Sequence, residues 1–475
     1  MPTLTELIAA IVKVLLMVGF VFNVAALLTW TDRRLSSMIQ DRIGPNRAGL
    51  VIGKFNIRVL GLLHTAADGL KFFFKEDFMP PKADKLLFSL APMLVMVPVL
   101  GLLAVIPMGD TVAFGDIRRV LCVDAGVAIA RATEAGTCVK GVATTVWPAA
   151  SRLGVNSTMG ALELTIAPLN VGVLYVFALA GQGIVGAAIA GWSSDNKFSL
   201  MGALRAASQM VSYEVTMGLT LVGAMMVYGT VRLDDMVRWQ GDNAWGIFVQ
   251  PLAFFLFFAA AVAETKRIPF DLPEAESELV SGYFTEYSGM KFGMFYFAEY
   301  MEVVTSSMLL VTIFLGGWQL PFLHRDGLTI AFGETMVFAT KLPHIWVIVF
   351  GVVAFFGKTL LMCVIQAFVR WSLPRFRYDQ LMKLGWLVML PLSLANIFAT
   401  GIIFLAFDNG GPAMASGLKF AGDLTQGFVA LLANGLFLWG IWGFFKPVRH
   451  TPFIVGSSAE RAAKQGGTQT LPVEA

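Results

Sequence analysis

The sequence predicts an all-α fold, a polytopic membrane helix bundle of about nine transmembrane helices plus one interfacial amphipathic helix. Three observations predict it. Hydrophobic residues make up 56% of the 475-residue chain, charged residues only 14%, and the mean hydropathy is +0.70, the balance of a chain whose helices face lipid. Apolar runs near the length a membrane crossing needs, about 20 residues, recur near 7–30, 86–108, 163–191, 201–229, 247–265, 290–315, 344–371, 384–407 and 425–445. Between the first two runs lies a stretch whose polar and apolar residues alternate at helical spacing. One bundle over residues 1–445 with a polar tail at 446–475 accounts for the length better than several soluble domains. The net charge of +3 carries no nucleic-acid footprint.

The first run is too long for a signal peptide, lacks a basic start and is followed by no small-residue cleavage site. Most of the 35 Lys and Arg fall in segments 31–85, 192–205, 264–291, 370–383 and 446–475. By the positive-inside rule these are cytoplasmic and the N-terminus is periplasmic, an orientation suited to a bacterial cytoplasmic (inner) membrane. In the long 31–85 connection, Val59, Leu63, Ala66, Leu70, Phe73 and Phe74 line one side of a helical pattern; His64, Asp68, Lys71 and Lys75 line the other. That is a helix lying on the membrane surface.

Residues 110–160 form a polar periplasmic insertion carrying Cys122 and Cys138, a candidate disulfide. Asn156-Ser157-Thr158 matches a glycosylation acceptor, which means nothing in a bacterial host. Gly181-Gln-Gly-Ile-Val-Gly186 has dinucleotide-loop spacing but sits inside an apolar helix, so with Ala190 it reads as a close-packing stripe. Glu214 lies roughly 20 Å along its helix from Met201. An ionisable group at that depth costs about 2.5–3.5 kcal/mol and should face a cavity, a partner or a proton path. Arg205 lies nearer the cytoplasmic end.

The stretch 264–290 gathers Glu264, Asp271, Glu274, Glu276, Glu278 and Glu286 in one cytoplasmic connection. Pro269 and Pro273 break any through-helix, and Asp271 with Glu274 has the form of a capping box, so a short helix should start near Leu272. Glu274 and Glu278 then share a face and repel. A solvated helix start and a functional acid cluster are both compatible with that pattern. In the next span Glu299 and Glu302 share a face at i, i+3; two carboxylates in a low dielectric disfavour joint ionisation, making the pair a candidate proton carrier or a protonated structural pair. Arg370, Arg375 and Arg377 are counter-charges for the acidic loop, while Lys358 and Asn396 are polar residues within spans with no assigned role.

The run from Glu264 to Gly282 resembles the acidic cytoplasmic loop of the family of quinone-site membrane subunits of respiratory complex I, the NADH:quinone oxidoreductase. Asp41-Arg-Ile-Gly-Pro-Asn-Arg-Ala-Gly49, Ala67–Asp77, Pro168–Tyr175, Ala203–Thr216 and Pro374–Gln380 are similar to the same family. The chain departs from it between Leu50 and Leu60, at His64, in the 110–160 insertion and in the ninth span with its tail. The resemblance implies a proton-pumping complex in which this chain forms much of the quinone tunnel and couples quinone reduction to proton translocation. Glu214, Glu264, Glu274, Glu276, Glu278, Glu299 and Glu302 would carry charge and protons; Arg42, Asp68, Phe72, Arg205, Phe270 and Asp271 would form the tunnel and its mouth; Arg47, Arg267, Arg375 and Arg377 would meet neighbouring subunits. Implied partners are the peripheral-arm iron–sulfur and quinone-site subunits, the adjacent small and antiporter-like membrane subunits, and the lipid bilayer.

The sequence has no Cys-x-x-Cys, no P-loop, no paired intramembrane His and no metal-ligand spacing. The expectation is therefore no metal and no cofactor bound by this chain, with quinone as substrate and FMN and iron–sulfur clusters in partner subunits. Two other readings stand: a homologous subunit of an energy-converting hydrogenase or formate-linked complex, and a stand-alone secondary ion transporter, the latter weakened by the lack of an internal repeat.

Overall fold

The computed structural model describes residues 4–46, 48–52, 55–57, 61–113, 161–273, 279–321, 323–324, 327–332, 335–342 and 344–408. The ninth span (425–445), the tail, Cys122, Cys138, Arg47, Glu274, Glu276 and Glu278 lie outside them.

The chain is an integral membrane protein with an all-α fold. Seven helices among the described residues are long and apolar enough to cross a membrane: α1 (Leu4–Ile39), α3 (Lys85–Leu102), α4 (Gly172–Ser193), α5 (Lys197–Tyr228), α8 (Gly289–Phe314), α9 (His344–Ser372), and a last one beginning as α10 (Tyr378–Lys383) and continuing through a π-helical turn into α11 (Leu390–Asp408). The connecting segments add α2 (Leu63–Phe74), α6 (Leu233–Asp242), the shorter apolar α7 (Pro251–Glu264) and small antiparallel hairpins such as Leu50–Ile52 with Phe55–Ile57.

Local chemistry sets the helix ends. Asp84 caps α3 by accepting from the Leu86 and Leu87 amides, and Asn196 caps α5 by accepting from Phe198. Gly229, with φ +64°, ends α5 in the left-handed conformation that favours glycine.

Three expected spans are shorter than their apolar runs: the second ends at Leu102, and two others have a visible cause. The third begins at Gly172, because Glu163 and Thr165 are held by Lys13 and Arg232 and Pro168 cannot continue a helix backwards. The fifth is interrupted at Gln250, where Pro251 starts α7 anew. Its 14 residues reach only about 21 Å. The buried Gln250 side chain at the break is satisfied laterally: Asn396 donates to Gln250 Oε1, and Gln250 Nε2 donates to Thr400. This gives Asn396 its role.

Lys358 acquires one as well. Its ammonium donates to the carbonyls of Leu315, Gly317 and Gln319 at 2.7, 3.0 and 2.6 Å, and lies 4.1 Å from the Trp245 ring centre. It thus supplies donors just past the C-terminus of α8, where helix carbonyls lack partners.

Helix α8 is the centre of the bundle: 89% of its most apolar window is buried, against 22–50% for the other spans. It packs against α1, α2, α3, α6, α7 and α9. The stripe on α4 works as expected at Gly186, where an added Cβ would come within 3.0 Å of the Val95 amide nitrogen of α3. The amphipathic helix is α2. None of its residues is buried, and Leu70, Phe73 and Phe74 are exposed along its apolar side.

Candidate functional site

Polar groups converge where α7 ends. Lys266 has φ +56°, a conformation rare for a residue with a side chain. The turn sends Lys266 and Arg267 to different partners, one to Glu302 and the other to Asp32.

On the Arg267 side the centre is Asp32 of α1, 6% exposed. It accepts from Arg267 at 3.1 Å, from Arg370 of α9, and from the Tyr300 hydroxyl of α8 at 2.9 Å. The Arg267 guanidinium stacks 3.5 Å from the Tyr300 ring centre, and the Tyr296 and Tyr300 hydroxyls are 3.1 Å apart. Burial opposes the Arg267 charge, but Tyr300 and Asp32 outweigh it and hold its pKa above the ordinary arginine range. Asp32, Arg267 and Arg370 line a small cavity together with Cys363 and Gln366.

On the Lys266 side, the ammonium is 2% exposed and lies 3.4 Å from the Glu302 carboxylate. Burial works against this charge too; Glu302, Glu299 and Glu264 together push its pKa above the ordinary lysine value. Glu264 and Glu302 line a second cavity with Thr305 and Ser306 and an otherwise mostly apolar wall. Glu264 is within electrostatic reach of Glu302 and of Glu214. Glu214 is half-buried on α5 beside Gly181 of α4. Glu299 and Glu302 take separate partners: Glu299 accepts from the Tyr283 hydroxyl at 3.3 Å, and Glu302 meets Lys266. Shared repulsion between the two, expected from their spacing, is thereby divided.

The residues expected at the tunnel mouth occupy this same end. Asp68 of α2 pairs with Arg33 of α1, next to Asp32. Phe72 lies against Phe292 of α8, with ring centres 6.0 Å apart. Arg42 is exposed and donates to Gln40. Phe270 is buried between Tyr213 and Phe376, and its carbonyl is held at 2.8 Å by Gln209 of α5, one turn beyond the half-buried Arg205.

Asp271, where the short helix was expected to start, is gripped by Arg375. Its capping partner Glu274 lies outside the described residues. Arg267, expected at a subunit contact, turns inward instead: its side chain is 12% exposed and bound to Asp32. Arg377 is exposed, its amide donating to Gln380 at the start of α10.

Sequence reasoning missed Asp32, Tyr300 and Gln366. Asp32 precedes Arg33 and Arg34 at the end of an apolar run, where it looks like an interfacial charge. The available signal was an acid ending a span beside cations with an acidic loop elsewhere in the chain. No group of three or more His, Cys, Asp or Glu placed to hold a metal occurs among the described residues.

A family model described as NADH dehydrogenase matches residues 12–401. The chain is similar to an H-type subunit of NADH-quinone oxidoreductase from Geobacter metallireducens, 40% identical over 396 residues that cover 83% of this chain and 95% of that protein. It is 38% identical over 379 residues to the H-type protein of Cytophaga hutchinsonii, covering 80% and 92%, and 39% identical over 380 residues to that of Flavobacterium psychrophilum, covering 80% and 92%.

Proposed function

The chain belongs to the NADH dehydrogenase family, with the H-type membrane subunits of NADH-quinone oxidoreductase, and from that premise we propose that it walls a quinone site and couples quinone reduction to proton translocation. The observation that carries the reading is the branch at Lys266 and Arg267. A charge change felt at the Asp32 side is one residue away from the cation that sets the balance of Glu302 and Glu264. At the low effective dielectric of a buried site, charges this close act strongly on one another.

In this reading the quinone head group approaches the end marked by Asp68, Phe72 and Asp271, and exposed Arg42 and Arg377 meet the partner subunits. Glu274, Glu276 and Glu278 feel the reduction first. Arg267 and Lys266 pass the change to Glu302, Glu264, Glu299 and Glu214, towards the adjacent antiporter-like membrane subunits. The chain itself carries no electrons; FMN and iron–sulfur clusters reside in the peripheral-arm partners. The acidic-loop end is cytoplasmic and the N-terminus periplasmic, in a bacterial inner membrane.

Native membranes test this directly. Mild purification through a tag on this chain should co-purify iron–sulfur subunits and FMN with inhibitor-sensitive NADH:quinone activity. Glu214→Gln and Glu264→Gln should lower coupled quinone reduction by about tenfold while NADH:ferricyanide activity persists. Full coupled activity in both variants would sink the reading.

A further inference from the structure

The two cavities stand on either side of a thin polar partition. Thr265 lines both. Ser306, on the wall of the larger, is bonded to Gln366, on the wall of the smaller: Gln366 Nε2 donates to Ser306 Oγ at 3.4 Å and to Ser307 Oγ at 3.2 Å.

The hydrogen bonds of this partition run into dead ends. Ser306 and Ser307 both donate to the Val303 carbonyl, at 3.1 and 2.8 Å. Thr265 donates to the Val262 carbonyl at 2.9 Å, and the Cys363 thiol donates to Ser307 at 3.4 Å. A proton crosses a chain of groups only where each can accept one and pass another on. A backbone carbonyl oxygen has no proton to pass, and a side-chain amide neither gains nor loses one near neutral pH. The partition thus satisfies its buried hydroxyls and amide, as burial demands, while these bonds leave no continuous chain of exchangeable protons from one cavity to the other.

We infer that Gln366, with Ser306, Ser307 and Thr265, forms an insulating septum that lets charge on the Asp32 side act on Glu264 and Glu302 while barring proton exchange between the two cavities. Such a barrier is what a coupling device needs. If protons equilibrated between the cavities, a charge change on one side would be neutralised locally and drive nothing on the other. Gln366 serves on this account as a filler: it occupies the partition with a group that carries no proton, while the serine hydroxyls are already turned back onto the Val303 carbonyl of α8. The inference rests on the coupling reading above.

The test uses the whole complex in sealed membrane vesicles, reading proton uptake per NADH oxidised through quinone. Gln366→Glu places a group that can take up and release a proton in nearly the same volume; quinone reduction should stay within about twofold of the parent while proton yield falls by about half or more. Gln366→Leu carries no proton and should keep both rate and yield. An unchanged yield in Gln366→Glu overturns the septum, and so does a lost yield in Gln366→Leu, which marks a relay. If Gln366→Glu does not assemble with its partner subunits, Ser306→Asp supplies the carboxyl from α8 with the same expectation and the same overturning result. Failure of the coupling reading appears separately, as full proton yield in Glu264→Gln whatever the Gln366 variants do.

Discussion

Helix α1 carries a buried charged cluster near each end, and the two clusters differ in what lies beside them. Lys13 and Asp32 are about 28 Å apart along the helix. At the Lys13 end the ammonium donates to the carbonyls of Glu163 and Thr165, Arg232 bridges Glu163 and Asp234 at 3.3 and 3.1 Å, and Arg238 meets Asp110 at 3.4 Å. Burial opposes the Arg238 charge, while Asp110, Asp234 and Asp235 outweigh it and raise its pKa. None of these charged groups lines either cavity described above. At the Asp32 end, Glu264, Glu299 and Glu302 share the influence of Lys266, and open space adjoins Glu264 and Glu302. A buried ion pair by itself says little about function or even about stability. Space beside unequal charge separates a site that can respond from one that only holds helices in register.

The largest effect should come from Lys266→Met. Removing one partner of a buried pair costs about 3–5 kcal/mol, and here it leaves Glu302 beside Glu264 with the local cation gone. We expect loss of coupled NADH:quinone activity, measured beside NADH:ferricyanide activity in the same membranes. Retained activity would break the contrast, because the charge balance at this end would then be dispensable.

Next in size is Arg232→Met. It removes the cation between Glu163 and Asp234 and should cost about 3 kcal/mol, read as a lower midpoint for thermal dissociation of the complex. Proton yield per NADH in the assembled fraction should not change. A drop in yield would place function at the Lys13 end and dissolve the distinction.

A pH titration sharpens the same contrast. Tyr287, in the turn before α8, stacks on Phe88 at 4.0 Å; burial pushes its pKa up to about 12, against a smaller lowering from its hydrogen bond to Ser193. A folded-state pKa above the unfolded one means that its contribution is complete below the ordinary tyrosine range, about 10, and is lost as pH rises through the folded value. The structure should therefore lose stability between those values, and Tyr287→Phe should flatten that loss. An identical alkaline profile in the variant would show that the turn does not depend on the neutral phenol. Lys266, shifted upward, should remain charged across the working pH range.

The smallest effect is expected from Arg33→Gln. Its partner Asp68 and Arg33 itself are 37% and 43% exposed, and exposed pairs contribute between about 0 and 1 kcal/mol. Thermal stability should barely move. A large drop would mean that α2 is held to α1 mainly by charge rather than by Phe72 against Phe292.

Much of the framework was legible in advance, because lipid solvent imposes a length and a composition on each span and a charged residue in an apolar run stands out. Glu214, Glu264, Glu299 and Glu302 were visible for that reason. The shortening at Gln250 was hidden, since the partners of the Gln250 side chain at the break, Asn396 and Thr400, lie 146 and 150 residues away. Arg267 misled for a similar reason: a cation in a polar loop reads as a surface group until its acid is known.

By itself, then, the sequence determined that the chain is a helical membrane bundle and roughly where most of its spans fall, because these follow from transfer of side chains between water and lipid and need no partner. Only the tertiary structure decided which charges meet. Asp32 reaches Arg267 and Arg370 across 235 and 338 residues, and the Lys266 backbone sends neighbouring cations to different acids. Gln366 becomes a partition only when α9 lies against α8. Pairing energies depend on distances that the order of residues does not contain, so the bundle was written locally while its electrostatic wiring was settled by packing.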